Sequence, residues 1–299
     1  MGENELVTTG LPIALFIIMV GMGLSLGAKD FRRIVEQPRS VAVGTFTQLL
    51  LIPLLGFLLG WFFGGGMLAV GIVLVAVLPG GTTSNLLCFL GRANLALSIT
   101  LTVTASLITS VTVPLYLQLA LNTFVGNAET ISLDFMKTLT TMLVIVVVPV
   151  IIGMFVNLFA PRFAKKMEPI IGIFSLLVLL GIIALIVWTE REDLPGIIAQ
   201  VWQPTLALNV LAIGIGLAVS RITGLSARDA ITVAIEVSIK NTTLGLAIAL
   251  SILKNNELAM PAAAFGLLMY ASVGLLAMYG RKLDRESNAV TAAAAAVTE

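Results

Sequence analysis

Hydrophobic and polar positions along the chain divide it into nine apolar stretches separated by short polar links. The stretches fall at about 9–28, 40–63, 67–91, 94–122, 135–159, 168–188, 200–220, 226–253 and 258–280, and each has the roughly 20 apolar residues that a bilayer core asks of a helix. The link Ala160-Pro161-Arg162-Phe163-Ala164-Lys165-Lys166 is short, so the fifth and sixth stretches are expected to be neighbours. The pattern predicts an all-α polytopic membrane protein with nine transmembrane helices and no separate soluble domain. Residues 281–299 end in an alanine-rich run and are expected to form a disordered tail.

Composition agrees. The 299 residues are 58% hydrophobic and only 11% charged, against about 25% charged in a soluble domain. Seventeen Lys+Arg against sixteen Asp+Glu leave no basic field for nucleic acid. One cysteine and no histidine exclude a disulfide framework, a Cys/His metal site and any histidine base. The leading nine residues, MGENELVTT, carry two glutamates and no base, so the first stretch is expected to be a retained helix rather than a cleaved signal.

The basic residues predict orientation. Taken along the nine stretches, thirteen fall on one side (among them Arg39, Arg92, Lys165, Arg221 and Arg281), three on the other (Lys137, Arg191 and Lys254), and Lys240 lies inside the eighth stretch. Positive charge concentrates on the cytoplasmic side. The expected topology therefore puts the N-terminus outside and the C-terminus in the cytoplasm, in a cell (inner or plasma) membrane.

Polar and helix-breaking residues at membrane depth are costly and need a reason. The third stretch is interrupted by Leu78-Pro79-Gly80-Gly81-Thr82-Thr83-Ser84-Asn85, where Pro79 lacks a backbone donor and two glycines release the helical geometry. A half-helix beginning there aims N–H groups and a positive dipole end into the membrane. In the eighth stretch, Glu236-Val237-Ser238-Ile239-Lys240-Asn241-Thr242-Thr243 forms a matching polar run without a proline. Isolated Ser or Thr serves helix packing. Two clustered interruptions five stretches apart instead point to a transporter site built from inverted repeats, the first repeat lacking one leading helix.

Glu236 is the one acid placed at membrane depth, and its partner is either Lys240 at i+4 or a bound ion. Ser98 and Thr102 share a helix face at i, i+4, and Gln48 precedes Pro53, which loosens the local backbone. Hydroxyl, amide, carboxylate and carbonyl oxygens suit a hard cation.

The segments GMGLSL (21–26), LPGGTTSNLLCFLGRANLALSI (78–99) and IEVSIKNTTLGLAIA (235–249) resemble the bile acid:sodium symporter family across essentially the whole chain. The resemblance implies inverted repeats with two crossing unwound helices. It also implies a panel domain (1–28 and 129–190) and a core domain (40–122 and 198–280). It implies a first sodium site of Ser84, Asn85, Ser98, Thr102 and Glu236. The second would use Gln48, Glu236 and carbonyls near Val237 and Ile239, with Lys240 where a glutamine amide is usual. Thr82 and Asn241 would touch substrate. Met269-Tyr270 stands where some bile-acid-binding relatives have a His-Asn pair, which implies a different small organic anion.

The leading reading is thus a sodium-coupled symporter of a small organic anion working by alternating access, with no enzyme activity and no obligatory protein partner. The alternative is a proton-coupled or sodium-independent carrier in which Lys240 replaces one sodium. A passive channel and an intramembrane Ser–Lys hydrolase are remote alternatives.

Overall fold

The computed structural model describes residues 10–25, 27, 35–81, 83–126, 140–141, 143–189, 191 and 194–297. Lys29, Arg32, Arg33 and Lys137, which entered the orientation argument, and the whole of 127–139 lie outside the described residues. The described secondary structure is helical: α1 (Leu11–Leu24), α2 (Pro38–Phe62), α3 (Gly66–Val77), α4 (Thr83–Leu90), α5 (Leu95–Phe124), α6 (Leu143–Phe159), α7 (Pro161–Thr189), α8 (Leu194–Ile222), α9 (Ala227–Ser238), α10 (Thr242–Ile252) and α11 (Asn256–Val297). Among the described residues, α2, α5, α7, α8 and α11 contain spans long and apolar enough to cross a membrane. The chain is a polytopic membrane protein.

The apolar stretches at 67–91 and 226–253 each appear as two helices, α3 with α4 and α9 with α10. The expected link at 160–166 shrinks to Ala160, because α7 starts at Pro161, where a fixed φ and a missing donor suit a first helical turn. At the other end, α11 is drawn as far as Val297. Alanine is the strongest helix former, and the run 292–296 consists of it.

The broken helices occupy the protein's interior. In α3, every residue from Ala69 to Val77 is buried, as is every residue of α9 from Ala230 and of α10 to Leu250. Non-helical backbone at membrane depth survives only where protein surrounds it. By contrast α7 is mostly exposed, as a helix facing lipid would be.

Two groups of helices pack separately. In one, α1 lies against α6 and α7, and a Cβ on Gly23 or Gly153 would fall 2.2 Å from the opposing backbone, so the α1–α6 crossing requires glycine on both sides. In the other, α8 packs on α9 and α11, α3 on α2, α5 and α11, and α9 on α5. Between the groups, α10 touches α1 and α7.

The turn of α2 at Thr47–Leu51 is a π-helix. Pro53 has no N–H to give the Leu49 carbonyl four residues back. Tyr116 of α5 fills the gap, donating to Leu49 O at 2.8 Å. The loosening expected ahead of Pro53 is thus built into the backbone, with Gln48 in it.

Candidate ion and substrate site

The two interruptions meet. Pro79 has no N–H, and the chain passes through Gly80 and Gly81 before α4 starts at Thr83. In the partner break, α9 ends at Ser238, Ile239 is extended (φ −93°, ψ 117°) and Asn241 caps α10 through its Oδ1, which accepts from Leu244 N at 3.1 Å. The extended stretches pair antiparallel at Gly80 and Lys240, and Asn241 N donates to Pro79 O at 2.9 Å. Each break thereby supplies hydrogen bonds that the other lost, which explains how the second break forms without a proline. A Cβ on Gly80 would lie 2.7 Å from Glu236 Oε2, so this glycine admits the carboxylate.

Glu236 is fully buried on α9. Its Oε1 accepts from Ser84 Oγ at 2.6 Å and from Ser98 Oγ at 2.5 Å, and its Oε2 accepts from Thr102 Oγ1 at 2.8 Å. Ser98 Oγ also lies 2.8 Å from Asn85 Oδ1, and Ser84 Oγ lies 2.8 Å from the Gly81 carbonyl. Each hydroxyl has one proton, so these second contacts alternate with those to the carboxylate. Ser84, Asn85, Ser98, Thr102 and Glu236 therefore form one all-oxygen cluster drawn from α4, α5 and α9. A serine or threonine oxygen that donates to the carboxylate can turn and offer lone pairs to a cation instead. The donor set is of the oxygen type that suits a hard cation.

Lys240 departs from its expected place. It is i+4 from Glu236 in sequence, but α9 stops at Ser238 and the helical neighbour relation is lost. Lys240 is instead buried in the break, and its Nζ donates to Leu78 O at the end of α3, at 3.1 Å. Val237 and Ile239 are buried around the same break. The π-turn carrying Gln48 packs against α9, and the Gln48 Nε2 is buried without a hydrogen-bond partner.

A cavity beside the crossing is lined by Lys240, Asn241, Thr83 and Tyr270, with Ile18 of α1 and Leu179 of α7 opposite. Asn241 thus borders the cavity, and Thr82 lies outside the described residues.

Two further polar residues hold the crossing in place. Asn209 of α8 is fully buried, and its Nδ2 donates to the Ser238 carbonyl at the end of α9 at 3.1 Å. Its Oδ1 accepts from Ser272 Oγ of α11. A lone asparagine at membrane depth was the available signal. Asn94, inside the recognised motif but without an assigned role, caps α5 and reaches Asp229 of α9.

Paired broken helices crossing over a polar cluster are the arrangement of a membrane transporter. The sequence model of the Sodium Bile acid symporter family matches residues 12–196, over half of the chain, and the chain belongs to that family. It is 29% identical over 286 residues to the "Uncharacterized sodium-dependent transporter YocS" of Bacillus subtilis (strain 168), covering 95% of this chain and 86% of that one. Against the "Probable sodium/metabolite cotransporter BASS2, chloroplastic" of Oryza sativa subsp. japonica it is 27% identical over 287 residues, or 96% of this chain and 66% of the other. With the human "Ileal sodium/bile acid cotransporter" it shares 32% identity over 243 residues, 81% of this chain and 69% of the relative.

Proposed function

We propose that this protein is a secondary active transporter that moves a small organic anion together with sodium by alternating access. The observation that carries the reading is the Glu236 carboxylate held by hydroxyls of Ser84, Ser98 and Thr102 where two broken helices cross. Three charge-assisted hydrogen bonds keep the carboxylate satisfied without an ion. When sodium enters, the same hydroxyl oxygens rotate their protons away and coordinate it along with Glu236 and Asn85. The buried charge is compensated in both conditions, as repeated cycling demands.

In this reading the chain crosses the membrane nine times in inverted repeats, with the N-terminus outside and the C-terminus in the cytoplasm. The group of α1, α6 and α7 acts as the panel, and the group containing α2, α3, α5, α8, α9 and α11 as the core. Substrate sits in the cavity between them, with Thr82 and Asn241 as contacts. Tyr270 in the cavity wall favours an anion other than a bile acid. The sodium-dependent names of the relatives support the coupling ion.

One observation favours a variant stoichiometry. The Lys240 Nζ donates to the Leu78 carbonyl in the same break, and its ammonium form would stand in for a cation at the second position, formed by Gln48, Glu236 and carbonyls near Val237 and Ile239. The cycle then carries one sodium, or exchanges that role for a proton.

Purified protein in proteoliposomes, offered a panel of labelled short carboxylates, should accumulate at least one of them only when sodium is present outside. Equal accumulation with choline or potassium in place of sodium would defeat sodium coupling.

A further inference from the structure

Glu236 does not stand alone on α9. Asp229 lies seven residues earlier, two turns back and on the same face. Opposite, α5 presents Asn94, Ser98 and Thr102 at successive intervals of four. The two faces join in rungs. Asn94 Nδ2 donates to Asp229 Oδ1 at 2.8 Å, and Asn94 N donates to Thr232 Oγ1 at 2.9 Å. One turn further along, Ser98 and then Thr102 meet Glu236. The second oxygen of Asp229 accepts from Ser40 Oγ on α2 at 3.0 Å, eight residues ahead of Gln48. One half-buried carboxylate thus ties together the helices that carry Gln48, Ser98, Thr102 and Glu236.

We propose that Asp229 and Asn94 are positioning residues for the ion site: their hydrogen bond fixes the register of α5 against α9 and so sets the distances from Ser98 and Thr102 to Glu236. The inference rests on the reading of the Glu236 cluster as a sodium site. Ser98 and Thr102 are one turn apart, about 6 Å along the axis at about 1.5 Å per residue, and the two oxygens of a single carboxylate span them. A slide of α5 by one residue would take one hydroxyl out of reach. Coordination distances tolerate only about 0.2 Å, and loss of a group that directly orients a metal ligand costs about 10- to 100-fold in affinity; Asp229 and Asn94 touch no ligand and act on the site through the register of the two helices.

The side chain of Asn94 has two tasks that can be separated. Its Oδ1 caps α5 by accepting from Leu97 N at 3.1 Å, while its Nδ2 reaches Asp229. Asn94→Ser keeps a good cap but is too short for Asp229. Asp229→Ala removes the rung from the other side. The exchange Asn94→Asp with Asp229→Asn restores it with donor and acceptor reversed, and still leaves an acceptor for Leu97 N.

The test is the melting temperature of the full-length protein titrated with sodium chloride at constant ionic strength, potassium replacing sodium. Wild type should be stabilised by sodium with a saturating midpoint. Asn94→Ser and Asp229→Ala should each raise that midpoint about tenfold or more, and the exchange should return it towards wild type. Single variants that melt lower in potassium yet keep the wild-type sodium midpoint would overturn the inference, since that is what a merely structural brace does. An exchange that leaves the midpoint as high as in the single variants would overturn it too. If wild type itself shows no sodium-specific stabilisation, the sodium reading fails first and carries this inference with it.

Discussion

Lys240 and Leu78 belong to different broken helices, and the ammonium of the first donates to the carbonyl of the second at 3.1 Å. The end of α3 carries the negative pole of its helix and carbonyls without helical donors. Any monovalent cation binding near the crossing would find such oxygens attractive, and the Lys240 Nζ already holds one.

That contact predicts the stoichiometry. Two unit charges about 4 Å apart cost about 4 kcal/mol at an effective dielectric of about 20, or about three decades of affinity. Sodium dependence of uptake should have a Hill coefficient near one in wild type. Lys240→Gln, which removes the charge, should raise it and shift the reversal potential accordingly. Two sodium ions coupled in both proteins would contradict the tethered-cation account.

Asn209 gives a prediction about stability. Asn209→Leu keeps the branched shape but strips the donor from the buried Ser238 carbonyl and the acceptor from Ser272. A buried polar group left unpaired costs about 1–3 kcal/mol, so the melting temperature should fall. Adding Ser272→Ala should cost little more, because both changes cut one network. Fully additive losses in thermal unfolding would show that the network is not shared.

The sequence made the helices and the two interruptions legible, because apolar runs of bilayer length and a Pro-Gly-Gly step are local signals. It also pointed to the hydroxyls around Glu236, which the fold brings within hydrogen-bond distance. What escaped was relational. Nothing local to Lys240 says that α9 ends two residues before it, since the break is maintained by Pro79 and Gly80 some 160 residues away in sequence. The roles of Asn94 and Asp229 escaped for the same reason: each is an ordinary residue at a helix start until the other helix is placed beside it.

The most direct test of the central claim is equilibrium binding of radiolabelled sodium to purified wild type and to Glu236→Gln. The glutamine keeps the volume and one acceptor for Ser84, Ser98 and Thr102, so the variant should remain folded and melt near wild type in potassium. Wild type should bind sodium saturably, and Glu236→Gln should lose that binding together with sodium-driven uptake. Saturable binding of equal affinity in the folded variant would contradict the account.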